Sequence, residues 1–115
     1  MTELSRVGLL SELPGELLTR LAQRMRREEI GPGQPIMREG DDGDRFYVIL
    51  NGLCSVTQAD RGLRRILKPG DYFGEVALTM DVPRTASVSP MTLVTVASCD
   101  RETFDEFIRP LFAEG

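Results

Sequence analysis

The sequence has no histidine and no tryptophan, only two cysteines, and no apolar run long enough to cross a bilayer. Each absence removes a class of function. Without histidine the chain lacks the commonest metal ligand and the commonest general acid–base group, so no catalytic residue and no metal ligand set can be nominated. Cys54 and Cys99 are too few for a disulfide framework and read as two small buried thiols. No stretch approaches the ~20 apolar residues of a membrane span. The mixed, acidic N-terminus does not read as a signal peptide, so a cytoplasmic location without membrane contact is expected. A formal net charge of −4 argues against a broad face for nucleic acid or acidic lipid. An anionic ligand would need a local positive site.

What is present suits one soluble domain. The 115 residues are 41% hydrophobic and 28% charged, enough for one modest core. The expected division is a helical segment over 1–26, a strand-rich body over 27–99 and a closing helix over 100–112. Leu17, Leu18, Leu21, Ala22 and Met25 recur at helical spacing behind Pro14, with Arg20, Gln23 and Arg24 on the opposite face. A shorter helix is expected around residues 3–10. From residue 28 to 99 the pattern changes to short strand-like runs broken by glycine. Residues 46–50 read as a strand, Asn51-Gly52 as a two-residue hairpin turn, and residues 53–58 as the returning strand. Asp60-Arg61-Gly62 and Lys68-Pro69-Gly70-Asp71 are further turns, the second of type II. Alternation returns over 86–89 and 92–98, with Val94 and Val96 on one face. The acidic loop at residues 39–44 lacks the spacing of a calcium loop and reads as a solvated turn. Asp100 is the expected N-cap of a last helix carrying Phe104, Phe107, Ile108, Leu111 and Phe112, which Pro110 should break near Arg109.

The chemistry concentrates in residues 73–88, FGEVALTMDVPRTASV. Gly74 permits close backbone approach, and residues 75–79 could form a helical turn whose free N–H groups face an anion. Glu75 would oppose a phosphate but would accept hydrogen bonds from a sugar hydroxyl. Arg84, fixed by Pro83, supplies a fork-shaped cation for phosphate. Glutamate for sugar and arginine for phosphate describe a ribose phosphate site. The alternative on these two residues alone is a Glu75–Arg84 salt bridge within a loop.

This segment resembles the phosphate-binding cassette of cyclic-nucleotide-binding domains. Phe73-Gly74-Glu75-Val76-Ala77-Leu78 and Pro83-Arg84-Thr85-Ala86-Ser87-Val88 carry the likeness. The family's upstream pattern is similar to Glu39-Gly40-Asp41-Asp42-Gly43-Asp44-Arg45-Phe46-Tyr47-Val48-Ile49-Leu50-Asn51-Gly52, and its lead-in to the run from Leu67 to Glu75. The resemblance implies a mainly β fold: an eight-stranded antiparallel β-roll, or jelly roll, with flanking N- and C-terminal helices and a short helix in the cassette. It implies a ligand, cAMP or cGMP, and no further cofactor. Glu75 would accept from the ribose 2′-hydroxyl and Arg84 would pair with the cyclic phosphate. Backbone N–H groups at Gly74, Val76, Ala77 and Ala86 would complete the cradle. Val56 and Leu67 would pack against the base, and Thr85 stands where a hydroxyl goes with acceptance of guanine. The resemblance also implies a sensing module that passes a movement of its C-terminal helix to an output domain of a larger channel, transporter, kinase or enzyme. The alternative is a degenerate β-roll used only for interaction or dimerisation. A metal-dependent enzyme on a similar roll would need histidines, and a DNA-binding regulator would need a recognition helix; neither is in the sequence.

Overall fold

The structure is a computed structural model that describes Leu4 and residues 7–113. A 3-10 turn at Leu10–Glu12 leads into helix α1 (Gly15–Arg24), with Pro14 as its N-cap. Leu18 and Leu21 are buried while Arg20, Gln23 and Arg24 face water, as the helical spacing predicts. Of the short helix expected around residues 3–10, Glu3, Ser5 and Arg6 fall outside the described residues; residues 7–9 form a bend and turn rather than a helix, and Leu4, Val7 and Leu10 enter the core.

Strands β1 (Arg26–Ile30), β2 (Arg45–Asn51), β3 (Cys54–Gln58), β4 (Gly62–Leu67), β5 (Tyr72–Phe73), β6 (Ser87–Pro90) and β7 (Val94–Asp100) form two antiparallel sheets. One has the order β1-β7-β2-β5 and the other β4-β3-β6. Helix α2 (Glu75–Met80) interrupts the strands between β5 and β6. The chain closes through a first helical turn, α3 (Arg101–Thr103), a π-helical turn (Phe104–Ile108) and α4 (Arg109–Ala113).

Period-two alternation in the first sheet feeds two cores. Phe46 and Val48 of β2, with Ala97 and Cys99 of β7, pack against Leu10, Leu21, Phe104 and Ile108 of the helices. Ile49, Val94 and Val96 instead meet Cys54, Leu67 and Val88 of the second sheet. Strand β7 is therefore buried on both faces, not half-exposed as its alternation suggests. Each fully buried aliphatic or aromatic side chain contributes roughly 1.5–3 kcal/mol.

Four expectations need correction. Seven strands, not eight, occur among the described residues. Met37 makes only an isolated bridge to Val88, because Pro35 has no N–H to extend the ladder and Gly40 turns the chain away. Asn51-Gly52 does not close a β2–β3 hairpin. Only Gly52 takes a positive φ (90°), and β3 leaves for the other sheet, where it pairs with β4 and β6. The Leu53 carbonyl instead accepts from the Met91 amide at 2.8 Å. The third correction is at Pro110, which does not end the last helix. The π turn before it lets the Arg109 N–H reach the Phe104 carbonyl, a wider register that accommodates a ring without a donor. Val94 to Asp100, finally, runs two residues past the predicted strand end, and Asp100 then caps the helix.

Candidate functional site

The chain between β5 and β6 is bent by two left-handed residues. Gly74 (φ 93°) precedes α2 and Asp81 (φ 55°) follows it. At Gly74 the conformation and the space both require glycine. A Cβ there would stand 2.9 Å from the Arg45 carbonyl oxygen and 3.1 Å from Arg84 Nη1. The first turn of α2 holds Glu75, Val76 and Ala77, whose N–H groups have no preceding helical carbonyl to bond. Beyond Asp81 the chain returns along the acidic loop: the Arg84 amide donates to the Asp41 carbonyl at 2.8 Å, and the Gly40 amide donates to the Arg84 carbonyl at 2.9 Å.

Arg84 is 7% exposed. Its Nη1 donates to the Gly74 carbonyl and its Nη2 to the Arg45 carbonyl, both at 2.9 Å. Among the described residues no carboxylate lies within 4.0 Å of the guanidinium, so the Glu75–Arg84 salt bridge does not form. Burial lowers the Arg84 pKa, and Tyr47, Asp44 and Glu75 offset this only at longer range. Burial likewise raises the Glu75 carboxyl above its ordinary value, partly countered by its own backbone N–H and by Arg65 and Arg84. A half-buried carboxylate and a buried guanidinium thus stand near each other without pairing. An unpaired buried charge is costly, and both groups keep hydrogen-bonding capacity for a third party.

Both side chains line one cleft of about 170 Å³. The structure brings every sequence-nominated residue into its lining: Gly74, Glu75, Val76 and Ala77 from one wall, Arg84, Thr85 and Ala86 from another, and Val56 and Leu67 from the second sheet. Thr85 is exposed, and its carbonyl accepts from Gln58 Nε2 at 2.9 Å. The sequence reading did not nominate Met37, Arg65, Tyr72, Phe73 and Val88, which also line the cleft. Arg65 could have been found. It stands two residues before Leu67 on the same strand and directly opposite Val56 across the β3–β4 pair, so all three share a face.

Arg84 also borders a second cleft of about 190 Å³ with Asp41, Asp42, Asp44 and Tyr47. Among the described residues no group of acidic or cysteine side chains is placed to hold a metal ion, and no helix is long and apolar enough to cross a membrane. Cys54 and Cys99 are free and buried. Desolvation pushes their thiols up to about 11 and about 12, which keeps them protonated.

Residues 27–110 match the family described as the cyclic nucleotide-binding domain. The chain is 38% identical over 104 residues to a cAMP-dependent protein kinase regulatory subunit of Debaryomyces hansenii, covering 90% of this chain and 23% of that protein. It is 35% identical over 108 residues to human cGMP-dependent protein kinase 2, covering 89% and 14% respectively. The chain therefore spans less than a quarter of either relative. The regulatory domain of Toxoplasma gondii protein kinase A, crystallised with cAMP, superposes with a TM-score of 0.90 at 28% identity, over 95% of this chain and 44% of that one. The regulatory subunit of a cAMP-independent protein kinase A from Trypanosoma brucei superposes at 0.88 and 27% identity, over 96% and 42%. That form carries alanine for a glutamate, arginine for a threonine and alanine for a valine, and is bound to cAMP in its A site.

Proposed function

The chain belongs to the cyclic nucleotide-binding domain family, and we propose that residues 1–115 form one such domain, a non-enzymatic module that binds cAMP or cGMP in the cleft between α2 and the second sheet. One observation carries this reading: a guanidinium only 7% exposed, fixed by two carbonyls and lacking a carboxylate partner among the described residues. The cyclic phosphate supplies the missing anion, and Arg84 holds it with charge-assisted hydrogen bonds. Glu75 accepts from the ribose 2′-hydroxyl. The amides of Gly74, Val76, Ala77 and Ala86 close around the phosphate, while Val56 and Leu67 pack against the base. The Trypanosoma brucei variant supports the assignment of Arg84. Its introduced alanine and arginine have the same separation in sequence as Ala77 and Arg84 here. A ligand of roughly 22 heavy atoms at ~0.3 kcal/mol each gives micromolar affinity.

The two donors on the base side, Arg65 and Thr85, favour guanine. Its O6 and N7 are adjacent acceptors that a guanidinium matches in a fork, whereas adenine presents an amino donor beside N7.

Binding is read out through the last helix. Leu78 shares one buried cluster with Phe104, Phe107 and Ile108, and its carbonyl accepts from Arg109, so a shift of α2 is felt there. The output is a kinase or another effector domain joined to or associated with the module, and the module itself stays off membranes, in the cytoplasm. Isothermal titration with cAMP and cGMP tests the reading. Wild-type protein binds at least one at micromolar concentration, and Arg84→Ala costs at least ~2 kcal/mol. Equal affinity in the Arg84→Ala variant would place the phosphate elsewhere.

A further inference from the structure

Gly43 lies in the loop before β2 and does not belong to the positive-φ glycines, which are Gly33, Gly40, Gly52, Gly62, Gly70 and Gly74. Backbone conformation therefore does not require glycine at this position. Space does. A Cβ at Gly43 would stand 2.5 Å from Arg84 Nε, 2.6 Å from Arg84 Cζ and 2.8 Å from the Ala77 methyl. Neither neighbour can yield easily. The guanidinium is buried and tied to the Gly74 and Arg45 carbonyls. The Ala77 methyl is 2% exposed and has no side-chain torsion to turn, so moving it means moving α2. The loop cannot retreat freely either. Its Gly40 amide and Asp41 carbonyl are bonded to the Arg84 backbone, and the Gly43 carbonyl accepts from Arg101 Nη2 at 3.3 Å.

We propose that Gly43 is a positioning residue for the anion site. Its bare Cα forms the wall against which the Arg84 guanidinium lies, between the acidic loop and α2. The missing side chain fixes where the cation meets a phosphate. This rests on the reading that Arg84 takes the cyclic phosphate. Gly43 touches no ligand; it acts through Arg84, and its carbonyl ties that same wall to Arg101 at the start of the last helix.

Gly43→Ala tests this, because alanine is allowed by the backbone and the fold should persist, as a thermal melt within a few degrees of wild type will show. Affinity for cAMP and cGMP is expected to fall about tenfold or more by titration calorimetry, since a displaced fork loses aligned hydrogen bonds. In the Arg84→Lys background the same change should cost less than about threefold, because a lysine stem is not tied to both the Gly74 and Arg45 carbonyls and can swing away from the methyl. A merely structural role would lower affinity equally in both backgrounds. Unchanged affinity for Gly43→Ala, or equal losses with and without Arg84→Lys, would overturn the inference while leaving the site standing. Wild-type protein that binds neither nucleotide would overturn the reading of the site, and this inference with it.

Discussion

Arg109 Nη2 donates to the Leu78 carbonyl at 2.6 Å, which joins the last helix to the C-terminal half of α2. Arg101 Nη1 reaches the same carbonyl at 3.5 Å. Two cations on one helix-end carbonyl suit the negative end of a helix dipole. Arg109 also bonds Asp105 through Nε at 2.8 Å and lies over the Phe104 ring, so it is held from both sides. Arg109→Ala is expected to leave cyclic-nucleotide affinity within about threefold of wild type, since the side chain does not line the cleft, and to cost about 1–2 kcal/mol of stability. It should also weaken the hydrogen-exchange protection that ligand brings to residues 101–113. Full protection in the variant would mean that the apolar contacts of Leu78 carry the coupling alone.

Asp100 caps the last helix through Oδ1, which accepts from the Thr103 amide at 2.9 Å. That bond holds its carboxyl below the ordinary aspartate value. A depressed folded-state pKa gives stability that is present above the unfolded value and lost as pH falls through the folded one. Asp100→Ala should cost about 1 kcal/mol at neutral pH. Asp100→Asn should cost less, because asparagine also caps, and should flatten the acid limb of the melting curve. A melting curve for Asp100→Asn as steep in acid as the wild type's would assign that limb to other carboxylates.

The placement of the nominated residues around one cleft was legible because their constraints are local. Gly70 announces the positive φ of a type II turn, Gly74 a close backbone approach, and Asp100 a cap, within a few residues of the features they control. Glu75 and Arg84 belong to one continuous segment, so their spacing alone brings them near each other. What stayed hidden depends on partners far along the chain. Asn51-Gly52 signals a reversal, but turn chemistry cannot say which sheet the next strand joins. The burial of β7 on both faces follows from helices packed against one side and β3, β4 and β6 on the other. Pro110 forbids an ordinary helical hydrogen bond, yet the π turn that absorbs it depends on Phe104 and Ile108 being pulled into the core. The absence of a Glu75–Arg84 pair is geometric too: the guanidinium is claimed by the Gly74 and Arg45 carbonyls, and the latter comes from another strand.

Burial raises the Glu75 carboxyl above the usual carboxylate range, with two consequences of opposite sign. In the free protein the folded state binds this proton more tightly than the unfolded chain. Its contribution therefore becomes more favourable as pH falls toward the unfolded value, and Glu75→Gln should melt no lower than wild type at neutral pH. Binding runs the other way. Only the ionised carboxylate offers the sugar hydroxyl a charged acceptor, so affinity should fall as pH drops from neutral into the acid range, and should begin to fall above the pH at which an ordinary glutamate titrates. Glu75→Gln should bind roughly tenfold more weakly at pH about 7 and show a flatter profile. A variant that retained the wild-type pH profile would mean that some other group titrates in the cleft.

Arg65 decides between bases if the cleft is occupied as proposed. It is exposed on β4 opposite Val56, two residues before Leu67, and shares the lining with Thr85. A guanidinium there can fork onto guanine O6 and N7, a match worth about 1–3 kcal/mol of discrimination in a good geometry. Solvent access puts this case at the lower end, because water competes for both partners. Arg65→Ala should therefore weaken cGMP by about fivefold to tenfold and cAMP by less than about twofold. Part of any common loss would come from Glu75, whose ionised form Arg65 also favours. That common part should diminish in the Glu75→Gln background, whereas the difference between the two nucleotides should remain. Parallel titrations of the two ligands separate these contributions. An equal loss for cGMP and cAMP, vanishing with Glu75→Gln, would reduce Arg65 to an electrostatic neighbour of the carboxylate and leave Thr85 as the base-side donor.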